Sequence, residues 1–177
     1  MPVIEANLIE SFLLLNRFFQ KYKLRYCLIG GMAAGYWGEP RFTKDMDFTV
    51  VSPKQEDLKE LLKKEKFQFE EKGTGQLQVV RHGKLSFIAD LIFSETDYQD
   101  WVIQRAVSVQ MFGVTVPICS AEDLIILKLI ANRRQDLLDI ENVLKNQSGR
   151  LDKTYLGEWM TTWELTDRFK KEFGKLI

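Results

Sequence analysis

The chain has 177 residues, 45% hydrophobic and 28% charged, which fits one generous globular domain with a small appendage and excludes disordered or collagen-like chains. Its 25 basic and 25 acidic side chains cancel, and the balance is local too: residues 1–100 carry 14 and 15, residues 101–177 carry 11 and 10. That argues against nucleic-acid affinity driven by bulk phosphate attraction. Cys27 and Cys119 lie far apart without a CxxC partner and His82 is the single histidine, so the spacing of a zinc site is missing. No basic leader region opens the chain, and the apolar run 124–130 contains Lys128 and falls far short of the ~20 residues of a membrane span. The expectation is a cytoplasmic protein with no membrane segment.

Helical spacing of Ile4, Leu8, Phe12, Leu15, Phe18 and Phe19 predicts an amphipathic helix over 4–23. A short apolar strand follows at 26–30, stopped by Gly30-Gly31, then one or two helical turns at 32–38 and a loop at 40–43. Residues 46–51 are β-branched and aromatic and read as a strand. Ser52, Pro53 and Gln55 resemble a helix start with a capping box, and the helix extends to about residue 66. Strands at 76–81 and 84–93 flank a His82-Gly83 turn, and strands at 106–111 and 114–119 flank Phe112-Gly113. Helices are expected at 121–134 and 135–147, with a last amphipathic helix carrying Trp159, Trp163 and Phe169, read as core. The order predicts an α+β fold: a domain over 1–119 and a helical subdomain over 120–177 packed on it.

Three features bear on chemistry. Asp45 and Asp47 stand two apart in a strand, so both carboxylates project from one face while Met46 and Phe48 project from the other. Either the strand end is wet and Arg41 and Lys44 neutralise the pair, or the pair holds a divalent cation, since Mg2+ takes one or two carboxylates together with substrate phosphates. Gly30-Gly31 follows a strand and precedes a helix, where amides can approach a phosphate closely; it can equally be a plain turn. Asp90 interrupts an apolar strand, LSFIADLIF, and needs either a metal or proton to hold or a core arginine to pair with. Beyond these, Lys128 sits in a nearly all-apolar helix and heads a polar stripe through Asp136 and Asp139 if that helix continues. It then faces a cleft and contacts nucleotide phosphates, with Asp136 and Asp139 orienting it, or snorkels outward to solvent.

Taken together, Ile29-Gly30-Gly31, the Asp45-Met46-Asp47 triplet and the later strand Asp90 resemble the nucleotidyltransferase superfamily, which includes DNA polymerase β-like and antibiotic-adenylylating enzymes. The stretch IGGMAAGYWGEPRFTKDMDFTVV is similar to small bacterial nucleotidyltransferase-like proteins related to AbiEii toxins. SAEDLIILKLIANRRQDLLDIENVL is similar to their Lys-plus-Arg-Asp-x-x-Asp segment, with Gln135-Asp136 in place of the Arg-Asp pair and Arg134 one residue earlier. The resemblance implies a mixed β-sheet flanked by helices, with two Mg2+ ions bound by Asp45, Asp47 and Asp90, the last also activating the acceptor hydroxyl. It implies that Gly30 and Gly31, with Arg41, Lys128 and Asp136, bind the phosphates of an NTP. Gly31 stands where many members have Ser, so it offers no hydroxyl.

The function so implied is Mg-dependent transfer of an NMP from an NTP, with release of pyrophosphate, to a small molecule, a tRNA end or a protein side chain. The alternative is a catalytically inactive nucleotide-binding or interaction module, such as a toxin–antitoxin component with an antitoxin partner.

Overall fold

The strand β2 (Asp45–Val51) sets the centre of the fold, because its alternation divides the molecule. Met46, Phe48 and Val50 are fully buried, each worth ~1.5–3 kcal/mol in apolar burial. The first helix, α1 (Ala6–Lys21), covers that face, with the Phe12 and Phe19 rings 6.2 and 5.2 Å from Phe48. The opposite face of β2 carries Asp45 and Asp47. This is a computed structural model, and it describes residues 6–51, 54–73, 75–81 and 87–174.

The remaining elements, in chain order, are β1 (Arg25–Ile29), α2 (Gly30–Trp37), α3 (Gln55–Lys64), β3 (Gln68–Glu71), β4 (Gln76–Arg81) and β5 (Phe87–Phe93). They continue with α4 (Asp97–Gln104), β6 (Val107–Met111), β7 (Val114–Ile118), α5 (Ala121–Ala131), α6 (Arg134–Asn146), α7 (Lys153–Thr162) and α8 (Thr166–Phe173). The strands form one mixed sheet in the order β3-β4-β5-β2-β1-β7-β6. β2 runs antiparallel to β1 and parallel to β5, with Ile29 opposite Asp47 and Asp47 opposite Asp90. β1 and β7 are parallel. The α+β class is as expected from the order of elements, and among the described residues no helix is long and apolar enough to cross a membrane.

Several sequence expectations are refined. Residues 97–104, unassigned from the sequence, form α4, started by a capping box between Thr96 and Gln99. The short polar strand β3 was also unassigned. The single last helix is two, α7 and α8, because Glu164 between them takes a left-handed conformation (φ 54) that interrupts the helical hydrogen bonds. Trp163 beside that break is 40% exposed rather than core, whereas Phe169 is buried. The Phe112-Gly113 hairpin is present, both residues having positive φ as a two-residue turn of this hand requires. Ile4, the expected Ser52-Pro53 cap and the expected His82-Gly83 turn lie outside the described residues; β4 and β5 pair antiparallel.

α5 ends at Ala131, three residues before the expected boundary, because Asn132 is its left-handed C-cap (φ 52). The chain then turns back into α6, so the polar stripe expected along one continuous helix is built across two. Asn tolerates this conformation better than other non-glycine residues. Asn132→Ala is therefore expected to lower unfolding free energy by about 1 kcal/mol while Asn132→Gly stays within about 0.5 kcal/mol of wild type. Urea denaturation of the two variants checks this.

Candidate active site

The site is organised where β1 ends and α2 begins. Gly30 has φ +66, and a Cβ there would stand 1.9 Å from Oδ2 of Asp47. Glycine is thus needed for conformation and for space, and its absent side chain lets α2 start directly against the carboxylate. The Gly31 N–H donates to the same Oδ2 at 3.4 Å. A Cβ on Gly31 would meet Nη2 of Arg41 and Oγ1 of Thr43, both at 2.9 Å. The volume beside Gly31 where a larger residue would project is occupied by the Arg41 guanidinium.

The three acidic residues expected from the sequence are brought together in backbone register. Asp45 and Asp47 share a face of β2, and Asp90 is the parallel cross-strand neighbour of Asp47. Each carboxylate has its own partner. Thr43 Oγ1 donates to Asp45 Oδ1 at 3.0 Å, Gly31 N–H reaches Asp47, and Gln78 Nε2 donates to Asp90 Oδ1 at 3.1 Å from the next strand. Gln78 is opposite Asp90 in the β4–β5 ladder. Neither Arg41 nor a core arginine forms an ion pair with these carboxylates among the described residues. Burial first, and then the charges of Asp45 and Asp90, push the Asp47 carboxyl up to about 6, against the opposing pull of the Gly31 N–H and Lys128.

As a donor set, carboxylate oxygens on adjacent strands suit a hard cation such as Mg2+. Among the described residues no three acidic, His or Cys side chains are close enough to enclose an ion by themselves. The destabilised charge on Asp47 is the feature that a cation there would relieve.

Beside the carboxylates lies a buried ionic network. Lys128 is 4% exposed, so it does not snorkel outward. Its Nζ donates to Asp136 Oδ1 at 2.9 Å and Asp139 Oδ2 at 2.6 Å, joining α5 to α6. Asp139 also accepts two bonds from Arg41, Nε at 2.8 Å and Nη2 at 3.0 Å, which ties the loop at 38–44 to α6. Asp136 is held by Arg133 through Nε at 2.7 Å and through its backbone N–H at 3.1 Å. Burial raises Asp136, but the bonds from Arg133 and Lys128 outweigh it and hold its carboxyl below the ordinary value. The arginine beside Asp136 is therefore Arg133, not Arg134. Asp136 also raises the Arg133 guanidinium, with smaller contributions from Asp47 and Asp45, so Arg133 lies within the field of the carboxylates. Arg133, Thr43 and Gln78 were missed in the sequence. The only available signals were the helix break at Asn132, a Thr two residues before Asp45, and a Gln alternating with apolar residues in β4.

The family model described as "Nucleotidyltransferase of unknown function (DUF6036)" matches residues 6–169. No curated protein matches the chain. Among solved structures, an antigenic nucleotidyltransferase-like protein from Paracoccidioides brasiliensis superposes with TM-score 0.60 at 18% identity, covering 97% of this chain and 94% of its own. The lincosamide antibiotic adenylyltransferase LnuA, bound to lincomycin, gives TM-score 0.54 at 17% identity, over 81% of this chain and 98% of its own. ANT(2″)-Ia in complex with adenylyl-2″-tobramycin gives 0.62 at 10% identity, over 89% and 99%. At these identities the likeness is one of fold.

The Asp47 environment has a sign that can be measured without substrate. A carboxyl raised from 3.8 to about 6 in the folded state costs stability once pH exceeds that window and costs nothing below it, where folded and unfolded chains are both protonated. In metal-free buffer Asp47→Asn is expected to stabilise the protein by about 1–3 kcal/mol at pH 7.5, with the gain disappearing below about pH 4. Paired denaturation curves across that range check both the size and the sign.

Proposed function

Since the chain belongs to the nucleotidyltransferase family just described, we propose that it transfers a nucleoside monophosphate from an NTP to an acceptor hydroxyl, releasing pyrophosphate. The observation that carries the proposal is Gly30, seated against Asp47 with no room for a side chain, beside the Asp47–Asp90 register pair. This combination brings backbone amides and carboxylates to the same point. The α2 N-terminus supplies N–H groups and the positive end of a helix dipole to the phosphates. Arg41, beside Gly31, adds a guanidinium next to those amides in place of a hydroxyl.

Asp45 and Asp47 would hold divalent cations, with Asp90 as a further ligand. When bound, Mg2+ neutralises phosphate charge and lowers the pKa of the attacking hydroxyl. Thr43 orients Asp45 and Gln78 orients Asp90. Asp90 accepts the acceptor's hydroxyl proton as its oxygen bonds to the α-phosphorus and the bond to the bridging oxygen breaks. Lys128, expected to contact the phosphates with Asp136 and Asp139 orienting it, and Asp136, also expected among the phosphate-binding residues, are read here as positioning residues, because both are buried and paired with each other. Lys128 holds Asp139, and through it Arg41.

Two measurements test the reading. Calorimetry is expected to show NTP affinity rising with Mg2+ in the wild type, and that dependence lost in Asp45→Asn plus Asp47→Asn; equal affinity with and without metal contradicts it. Asp90→Asn keeps an oxygen acceptor for Gln78, so its melting temperature should be unchanged or higher. Transfer of label from an α-labelled NTP should fall by roughly 10²–10⁴-fold. A strongly destabilised Asp90→Asn protein would mark Asp90 as structural.

A further inference from the structure

Three of the four tryptophans gather where α4 meets α7 and its C-terminal end, and the nucleotidyl-transfer reading uses none of them. A cavity of about 400 Å3 opens there, lined by Trp101, Arg105, Tyr155, Glu158, Trp159 and Thr162. Its volume lies in the range of small-molecule sites. The aromatic wall is held from behind: Tyr98, which is buried, packs 4.4 Å from Trp159 and 6.0 Å from Trp163, ring centre to ring centre. In front of it Trp101 is 49% exposed, a large apolar surface left to solvent on a helix otherwise ended by polar residues.

The charge around this wall is acidic. Arg105 is the cation of the lining, and it is already committed. Its guanidinium lies 3.7 Å from the Tyr155 ring centre, and it pairs with Asp123 at 3.4 Å and Glu122 at 4.0 Å. Asp123 is fully buried and also accepts from Tyr155 and Tyr98. Two carboxylates thus already stand against one guanidinium. Glu158 adds a third, exposed at the cavity, with no ion pair of its own among the described residues.

We propose that this cavity is a binding site for a small organic cation of the alkylammonium class. Electron-rich ring faces attract a cation whose hydration is weak, and Trp101, Tyr155 and Trp159 supply such rings to the lining. The uncompensated Glu158 carboxylate supplies the opposite charge, while an anion would meet a net acidic surround. A neutral ligand of the same shape would gain the apolar contact alone. The site stands independently of the nucleotidyl-transfer reading, because none of its residues belongs to the β1–α2 site.

The test uses the whole protein with choline as the probe and 3,3-dimethylbutan-1-ol as its neutral isostere, followed by tryptophan emission and by calorimetry. Choline is expected to bind at millimolar concentration or tighter, and the isostere at least ~5-fold more weakly. Trp101→Ala and Glu158→Gln alter exposed side chains, so both proteins should fold, and each should weaken choline binding by about 3- to 30-fold. Far-UV circular dichroism confirms their folding. Absence of choline binding at millimolar concentration, equal binding of the isostere, or unchanged affinity in both variants would each overturn the assignment.

Discussion

The candidate site depends on one close approach, the backbone of Gly30 against the carboxylate of Asp47. Backbone amides and an ionised side chain both demand solvation, and here they come together because Gly30 has positive φ and no Cβ. Everything nearby follows from that approach. α2 begins at the strand end instead of after a loop, and the Gly31 N–H points at Asp47. Parallel pairing with β5 then places Asp90 beside Asp47 with no further bend of the chain.

A second layer fixes what the first leaves loose. The loop at 38–44 has few regular hydrogen bonds of its own, yet Arg41 reaches Asp139, 98 residues further on, through two bonds. Lys128 bridges Asp139 and Asp136 behind it. Burying several charges is favourable only when each is met by hydrogen bonds and by opposite charge. Here the carboxylates accept from more than one donor, so the helical hairpin α5–α6 supports the loop that leads into the acidic strand.

Much of the fold was legible from periodicity. The strand at 46–51, the hairpin at Phe112-Gly113 and the start of the nearly all-apolar α5 had clear patterns and formed as read, although α5 ends earlier than expected. α4 could have been found, because Thr96 and Gln99 carry a capping-box spacing, but its eight residues show only a weak apolar face. β3 is four residues of mainly polar side chains, and it is a strand because β4 offers it a partner, which no local pattern records. The break between α7 and α8 depends on the left-handed conformation of Glu164, a residue type that gives no warning of it. In the site, the glycines and aspartates were visible because those residue types are costly or special in strands. Thr43, Gln78 and Arg133 are ordinary polar residues until register and a helix reversal bring them to the carboxylates. Lys128 was visible as an anomaly in an apolar helix, but whether it faced inward was a matter of tertiary packing.

The Arg41–Asp139 pair also links the opening motions of two distant segments. Proteins open locally in cooperative units, and a bond between units lets them share one opening free energy. The loop at 38–44 is short of backbone hydrogen bonds and would otherwise fray alone, whereas α6 is a regular helix with a buried face. Joined through a buried carboxylate, the loop takes on part of the helix's protection against solvent exchange. Local fraying next to Asp45 then requires the release of a contact made nearly a hundred residues away, so the rigidity of the acidic strand's entrance is a property of the C-terminal helices.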